Sequence, residues 1–104
     1  IIYSSVEYGV LVDSSGSFTG TYNDVYGNTL GNYSGTSDVT GFNGNLSAAP
    51  LFTAYSDDNN IANDDFHLAT GSPAINTGNS SASYNDTDST RNDMGAYGGP
   101  GGNW

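Results

Sequence analysis

Apolar residues come in short bursts along this chain. "YGVLVDSSG" sets Val10, Leu11 and Val12 between a glycine and a turn, and "SFTGTYNDVYGN" alternates Phe18, Gly20 and Tyr22. Further runs follow at "VTGFNG", "PLFTAY", "DFHLAT" and "PAIN", each three to six residues long and each ended by Asn, Asp, Gly or Ser. No window repeats apolar residues at helical spacing for long, and Gly, Asn, Ser and Thr interrupt every candidate helix. The rhythm predicts an all-β chain of short strands, arranged as a sandwich, a barrel or a solenoid.

The asparagines select among these. "YNDVYGN" puts Asn23 and Asn28 at both edges of a bend, and Asn tolerates left-handed backbone better than most residues. In a parallel β-solenoid such bends recur in every coil, so Asn side chains of successive coils can bond to one another. Hairpins favour Asn-Gly or Asp-Gly loops, and here the pair occurs only at Asn43-Gly44. A solenoid is the expected fold.

Composition narrows the partners. The chain has 104 residues, so it forms at most one small domain. Leu, Ile, Val and Phe total 18 residues against a net charge of −10, a balance that by itself favours disorder. Eight tyrosines and the alternating apolar positions argue for strands instead. Ten of the eleven acids are Asp, whose short side chain bonds to nearby backbone in turns. A surface this acidic repels nucleic acid, anionic lipid and acidic polysaccharide. Cations and neutral glycans remain as partners. There is no cysteine to form a disulfide, and no apolar run approaches the roughly 20 residues of a membrane-spanning helix. A start at Ile1 rather than Met reads as a processed product or a fragment. The Ser-, Thr-, Asn- and Gly-rich, lysine-free composition is that of exported surface proteins.

Three phrases carry a family resemblance, together covering most of the chain from Tyr22 onward. They are "YNDVYGN", "APLF…DFHLATGSPAINTG" and "DTDSTRNDMGAYGG". In this order they resemble the C-terminal end of secreted bacterial or archaeal right-handed parallel β-helix proteins, whose fold is that of pectate lyases. The resemblance implies an all-β, right-handed parallel β-helix, a short solenoid with an irregular C-terminal cap. Three positions depart from the family pattern. Ala49 and Asn76 stand where it has acids, and Ser89 stands where the acidic loop has glycine.

The expected map is a single solenoid domain over residues 1–104. Residues 1–46 supply about two coils, through 10–12 with 18–22 and then through 39–42. Residues 47–104 supply a terminal coil and cap. Solenoids generally need about three stacked repeats. The N-terminal end begins in apolar "IIY" without a visible cap. Such an edge presents unpaired backbone groups to another chain, so either a longer polypeptide continues upstream or a second subunit covers it.

Candidate chemistry concentrates near the C-terminus. Asp86, Asp88, Thr90 and Asn92 take the first, third, fifth and seventh places of a calcium loop, with Asp93 beside them. Arg91 stands where that loop needs glycine and Tyr97 where it needs a bidentate Glu. Two readings follow: an irregular calcium site, or Asp side chains that cap turns and pair with Arg91. Arg91 as a lyase base lacks the companion cations that an acidic substrate needs. His67 alternates with Phe66 and Leu68 and is expected to face outward beside Asp64 and Asp65, without a second His or Cys to share a metal. Asp57/Asp58 and Asp64/Asp65 are sequence neighbours, whereas glycoside hydrolysis needs two facing acids about 5–10 Å apart. The tyrosines and Trp104 offer faces for sugar rings. Sequons mark Asn32, Asn45, Asn79 and Asn85 as candidate glycosylation sites.

The expectation is a non-enzymatic extracellular or cell-surface module that stacks end to end through its N-terminal edge. It would be a homo-oligomer or filament subunit, needing no cofactor, with calcium as a candidate stabiliser. Two alternatives stand beside it: the C-terminal cap of a larger polysaccharide-active enzyme, and a carbohydrate-binding or adhesion module.

Overall fold

In the computed structural model of the protein, the described residues are 1–102. The chain forms two compact units, Ile1–Ala49 and residues 50 onward.

The first unit is built from successive passages of chain laid side by side. β1 (Ile2–Tyr3) pairs in parallel with β3 (Val25–Tyr26), Ile2 opposite Val25. β2 (Tyr8–Leu11) pairs in parallel with β4 (Gly31–Ser34), Tyr8 opposite Gly31 and Val10 opposite Tyr33. A third passage contributes one bridge, Leu46 beside Asp24. Val25 has no exposed surface and is the apolar centre; the rings of Tyr3 and Tyr26 stack above the β1–β3 pair at 6.0 Å.

A core this small is completed by buried amides. Asn45, 1 % exposed, donates from Nδ2 to the carbonyls of Gly20 and Phe42, both at 2.8 Å. Its Oδ1 accepts from the backbone and side-chain nitrogens of Asn23 at 3.0 and 3.1 Å. Asn28 accepts from Ser5 N–H and donates to Asn32 Oδ1, each at 3.0 Å. Buried polar groups are tolerated when every valence is met, and here each amide ties one passage to the next.

The second unit pairs β5 (Phe52–Ala54) with β6 (Asp65–Leu68) in antiparallel fashion, with an irregularity between Phe52 and Ala54. The rings of Phe52 and Phe66 meet edge to face, 5.4 Å apart and 83° inclined, an arrangement that aromatic quadrupoles favour. The connecting loop carries a 3-10 turn, Ile61–Asn63, capped by the Asn60 side chain. Pro50, Leu68, Ala74 and Met94 are buried apolar residues of this unit. A second 3-10 turn, Ala82–Tyr84, leads into the closing segment.

The right-handed parallel β-helix expected from the sequence is not what the structure shows. Among the described residues the strands form three separate two-stranded sheets, one of them antiparallel, with no closed or solenoid sheet. The cause is local backbone. Ser4, Tyr22, Gly27, Gly35 and Leu51 all take positive φ, between 50° and 70°, and each turn there ends or delays a strand. In "YNDVYGN" the left-handed residues are Tyr22 and Gly27; Asn23 and Asn28 act through their side chains instead.

Candidate functional site

The closing segment gathers most of the residues that the sequence singles out. Ser89, at φ 73°, turns the chain, and Asp86 N–H and Thr90 C=O close the loop at 3.0 Å. Asp88 Oδ1 accepts from Thr90 N–H at 2.9 Å and from its hydroxyl at 2.7 Å. Those two bonds hold the Asp88 carboxyl below the ordinary value of 3.8. Asp88 and Thr90 both face solvent.

Asp86 and Asp93 are buried and work on distant backbone. Asp86 Oδ1 accepts from Gly99 N–H at 2.5 Å, and its Oδ2 from Asp93 N–H at 3.1 Å. Asp93 Oδ1 accepts from Asn76 N–H at 2.5 Å. Burial pushes the Asp93 carboxyl up from 3.8; the Asn76 N–H opposes this, and the charges of Asp86 and Asp88 add to it. Asn92 C=O accepts from Gly78 N–H at 2.8 Å, while its Oδ1 is buried without a hydrogen-bond partner. Arg91 donates through Nε and Nη2 to Gly78 C=O and through Nη2 to Thr77 C=O, at 2.5–3.1 Å.

The five candidate calcium ligands are therefore divided. Asp86 and Asp93 are brought together, and Asp88 and Thr90 form their own turn. No three His, Cys, Asp or Glu among the described residues form a group that could hold a metal. These contacts make the segment a latch, in which acids collect backbone N–H groups and one guanidinium collects carbonyls.

His67 lies half-exposed with its Nδ1 2.5 Å from Asp65 Oδ1, and Tyr97 covers its ring. Asp64 is turned to other work, accepting from Ser56 N–H at 2.8 Å. Asp58 caps the neighbouring turn through Asn60 N–H and Asn63 Nδ2, at 2.9 and 3.0 Å. Among the sequons, Asn45 lies in the core with both amide hydrogens engaged, so the folded protein leaves no room for a glycan there. Asn32 donates to Ser47 Oγ at 2.9 Å, Asn85 to Ser89 C=O at 3.1 Å, and Asn79 caps Ser81 N–H at 2.9 Å. Trp104 lies outside the described residues.

One residue escaped the sequence reading. Asp24 has no exposed surface, and its carboxyl group accepts Ala48 N–H at 3.0 Å through Oδ1 while Oδ2 has no partner. In sequence Asp24 lies inside the bend that Asn23 and Asn28 bound, where a turn aspartate is the ordinary reading, so no sequence signal set it apart. No protein-family model matches the chain, nor does any curated protein or solved structure compared with it.

Proposed function

We propose that the protein is a non-catalytic structural module of the extracellular space or cell surface, which associates with further copies of itself through the open edge of its first unit. One observation carries this reading. Among the described residues, β1 and β2 pair on one side only, and both of those pairings are parallel, with partners at a constant offset. A strand edge of this kind is a template for another strand. Val6 and Leu11 flank it with 81 % and 68 % of their surface exposed. A parallel strand from a second copy would repeat the register already present between β2 and β4. Contact of one edge with a different surface builds an open series rather than a closed dimer.

The polar chemistry supports a structural role. The carboxylates of the closing segment bind backbone, Arg91 binds carbonyls, and His67 is held between Asp65 and Tyr97. The extracellular placement rests on the Ser-, Thr-, Asn- and Gly-rich, lysine-free composition.

Light scattering of the full chain over a range of concentrations tests the reading. Particles should grow with concentration, and Leu11→Lys should return them to single chains with an unchanged circular dichroism spectrum. A parent protein that stays monomeric throughout overturns the proposal.

A further inference from the structure

Asp24 sits where three passages of the first unit meet. Its carbonyl accepts Ile2 N–H at 2.8 Å, and its Oδ1 accepts Ala48 N–H at 3.0 Å. Its neighbours Asn23 and Val25 exchange backbone bonds with Leu46 at 2.7 and 3.1 Å. The carboxyl is fully enclosed, and Oδ2 has no hydrogen-bond partner.

An ionised carboxylate in that position is poorly provided for. Buried charges are ordinarily paired, metal-bound or neutralised. The chain has one basic side chain besides its single His, Arg91, and it is bound to the carbonyls of Thr77 and Gly78. Other titratable groups that act here are Tyr33 of β4, Asp38 beyond it and the amino group of Ile1. Burial chiefly opposes ionisation of Tyr33, and the charges of Asp38 and Asp24 oppose it further. Burial likewise raises Asp24 above the ordinary 3.8, against the Ala48 N–H and the Ile1 amino group.

Two occupants could neutralise the Asp24 carboxylate, a cation or a proton. Calcium takes six to eight oxygens. Asp24 offers one free oxygen, and Asp38 Oδ1 is already engaged by Thr40 N–H at 2.8 Å. The other buried side-chain oxygens nearby, Tyr33 Oη and Thr40 Oγ1, are neutral. A proton needs only one oxygen, and it removes the buried charge outright. Ligand count decides for the proton.

We propose that Asp24 is a proton-operated clasp: it carries a proton on Oδ2 in the folded protein, and loss of that proton loosens the three chain passages that meet there. The folded state binds this proton more tightly than the unfolded chain. Its contribution is therefore complete below the unfolded value and declines as pH rises through the higher folded value. The first unit is firmest in acid.

Carbon-13 titration of the Asp24 carboxyl, with amide exchange at Ile2 and Ala48, tests the clasp. The carboxyl should titrate above 3.8. Between that pH and the folded value, the opening constant at both amides should grow about tenfold per pH unit, beyond the intrinsic rise of exchange. Asp24→Asn retains the Oδ1 acceptor and should remove this extra dependence. If that variant does not fold, the titration of the unaltered protein decides alone. A carboxyl that titrates at or below its ordinary value overturns the proposal. So does a calcium-induced rise in Tm that Asp24→Asn abolishes, because a cation would then fill the place given to the proton.

Discussion

The rings of His67 and Tyr97 lie face to face, with centroids 3.9 Å apart and planes 3° from parallel. His67 belongs to β6 and Tyr97 to the closing segment, so the stack fastens that segment to the antiparallel pair. Asp65 fixes the imidazole at its edge, its Oδ1 2.5 Å from Nδ1. Nearby, Met94 enters the core with 4 % exposure and Gly99 N–H bonds Asp86. Tyr97→Ala should cost about 1 kcal/mol in ring contact, beyond the area it uncovers. Tyr97→Phe keeps the stack and should retain most of that stability. Urea denaturation of the two variants checks this, and equal losses would assign the effect to the hydroxyl rather than the rings.

Asn45 carries a larger share of the first unit. Replacing it with Ala strands the carbonyl of Gly20 and the N–H of Asn23 in a site that is 1 % exposed, while Phe42 C=O keeps the backbone N–H of residue 45. Each buried group left unmet costs about 1–3 kcal/mol, so Asn45→Ala should lose about 2 kcal/mol or more. That is a large part of a small domain's stability. Denaturant unfolding measures it directly. A loss below about 1 kcal/mol would mean that water reaches and satisfies these groups.

The sequence announced strands better than it announced their partners. Runs in "YGVLV", "PLFTAY" and "DFHLAT" coincide with β2, β5 and β6. Alternation at Phe18, Gly20 and Tyr22 produced no strand, and "VTGFNG" and "PAIN" became turns. Apolar alternation reports which side chains can face a core; it does not report whether the backbone alongside finds a ladder. The left-handed turns at Tyr22 and Leu51 that cut the sheets fall on residues of a type that rarely adopts them. The closing loop shows the same limit. Its acids were visible at regular spacing, but their partners Asn76 and Gly99 lie far along the chain. Only the local turn of Asp88 with Thr90 could be read from adjacency.

Two glycines separate backbone preference from crowding. Gly35 and Gly41 both take positive φ, 70° and 81°. A Cβ on Gly41 meets nothing within 4 Å, whereas one on Gly35 would stand 1.9 Å from Val12 C=O. Left-handed backbone costs an L-residue about 1–2 kcal/mol, and Gly41→Ala should lose only that. Gly35→Ala must in addition push apart the chain that Val12 N–H and Ser34 C=O hold at 2.9 Å. Its Tm should fall well below that of Gly41→Ala. Matching melting temperatures would show that the backbone at Val12 yields freely.

Stability should peak in mild acid, because two sets of aspartates titrate in opposite directions. Turn bonds hold Asp13, Asp38, Asp58, Asp65 and Asp88 below 3.8. Their contribution is present above that value and lost as pH falls through the lower folded ones. Asp93 behaves in reverse. Burial raises it, so its contribution is complete below 3.8 and lost as pH rises through the folded value. Relief of the −10 charge acts in the same direction as Asp93 on the neutral side. Tm should therefore climb from pH 7 to about pH 4 and drop at lower pH. Asp93→Asn keeps an acceptor for Asn76 N–H while removing the charge, and should make the neutral side of the curve shallower. The remaining slope then measures Asp24 and the general charge. A Tm that rises steadily from about pH 4 to pH 8 would show that Asp24 and Asp93 ionise without cost in the folded protein.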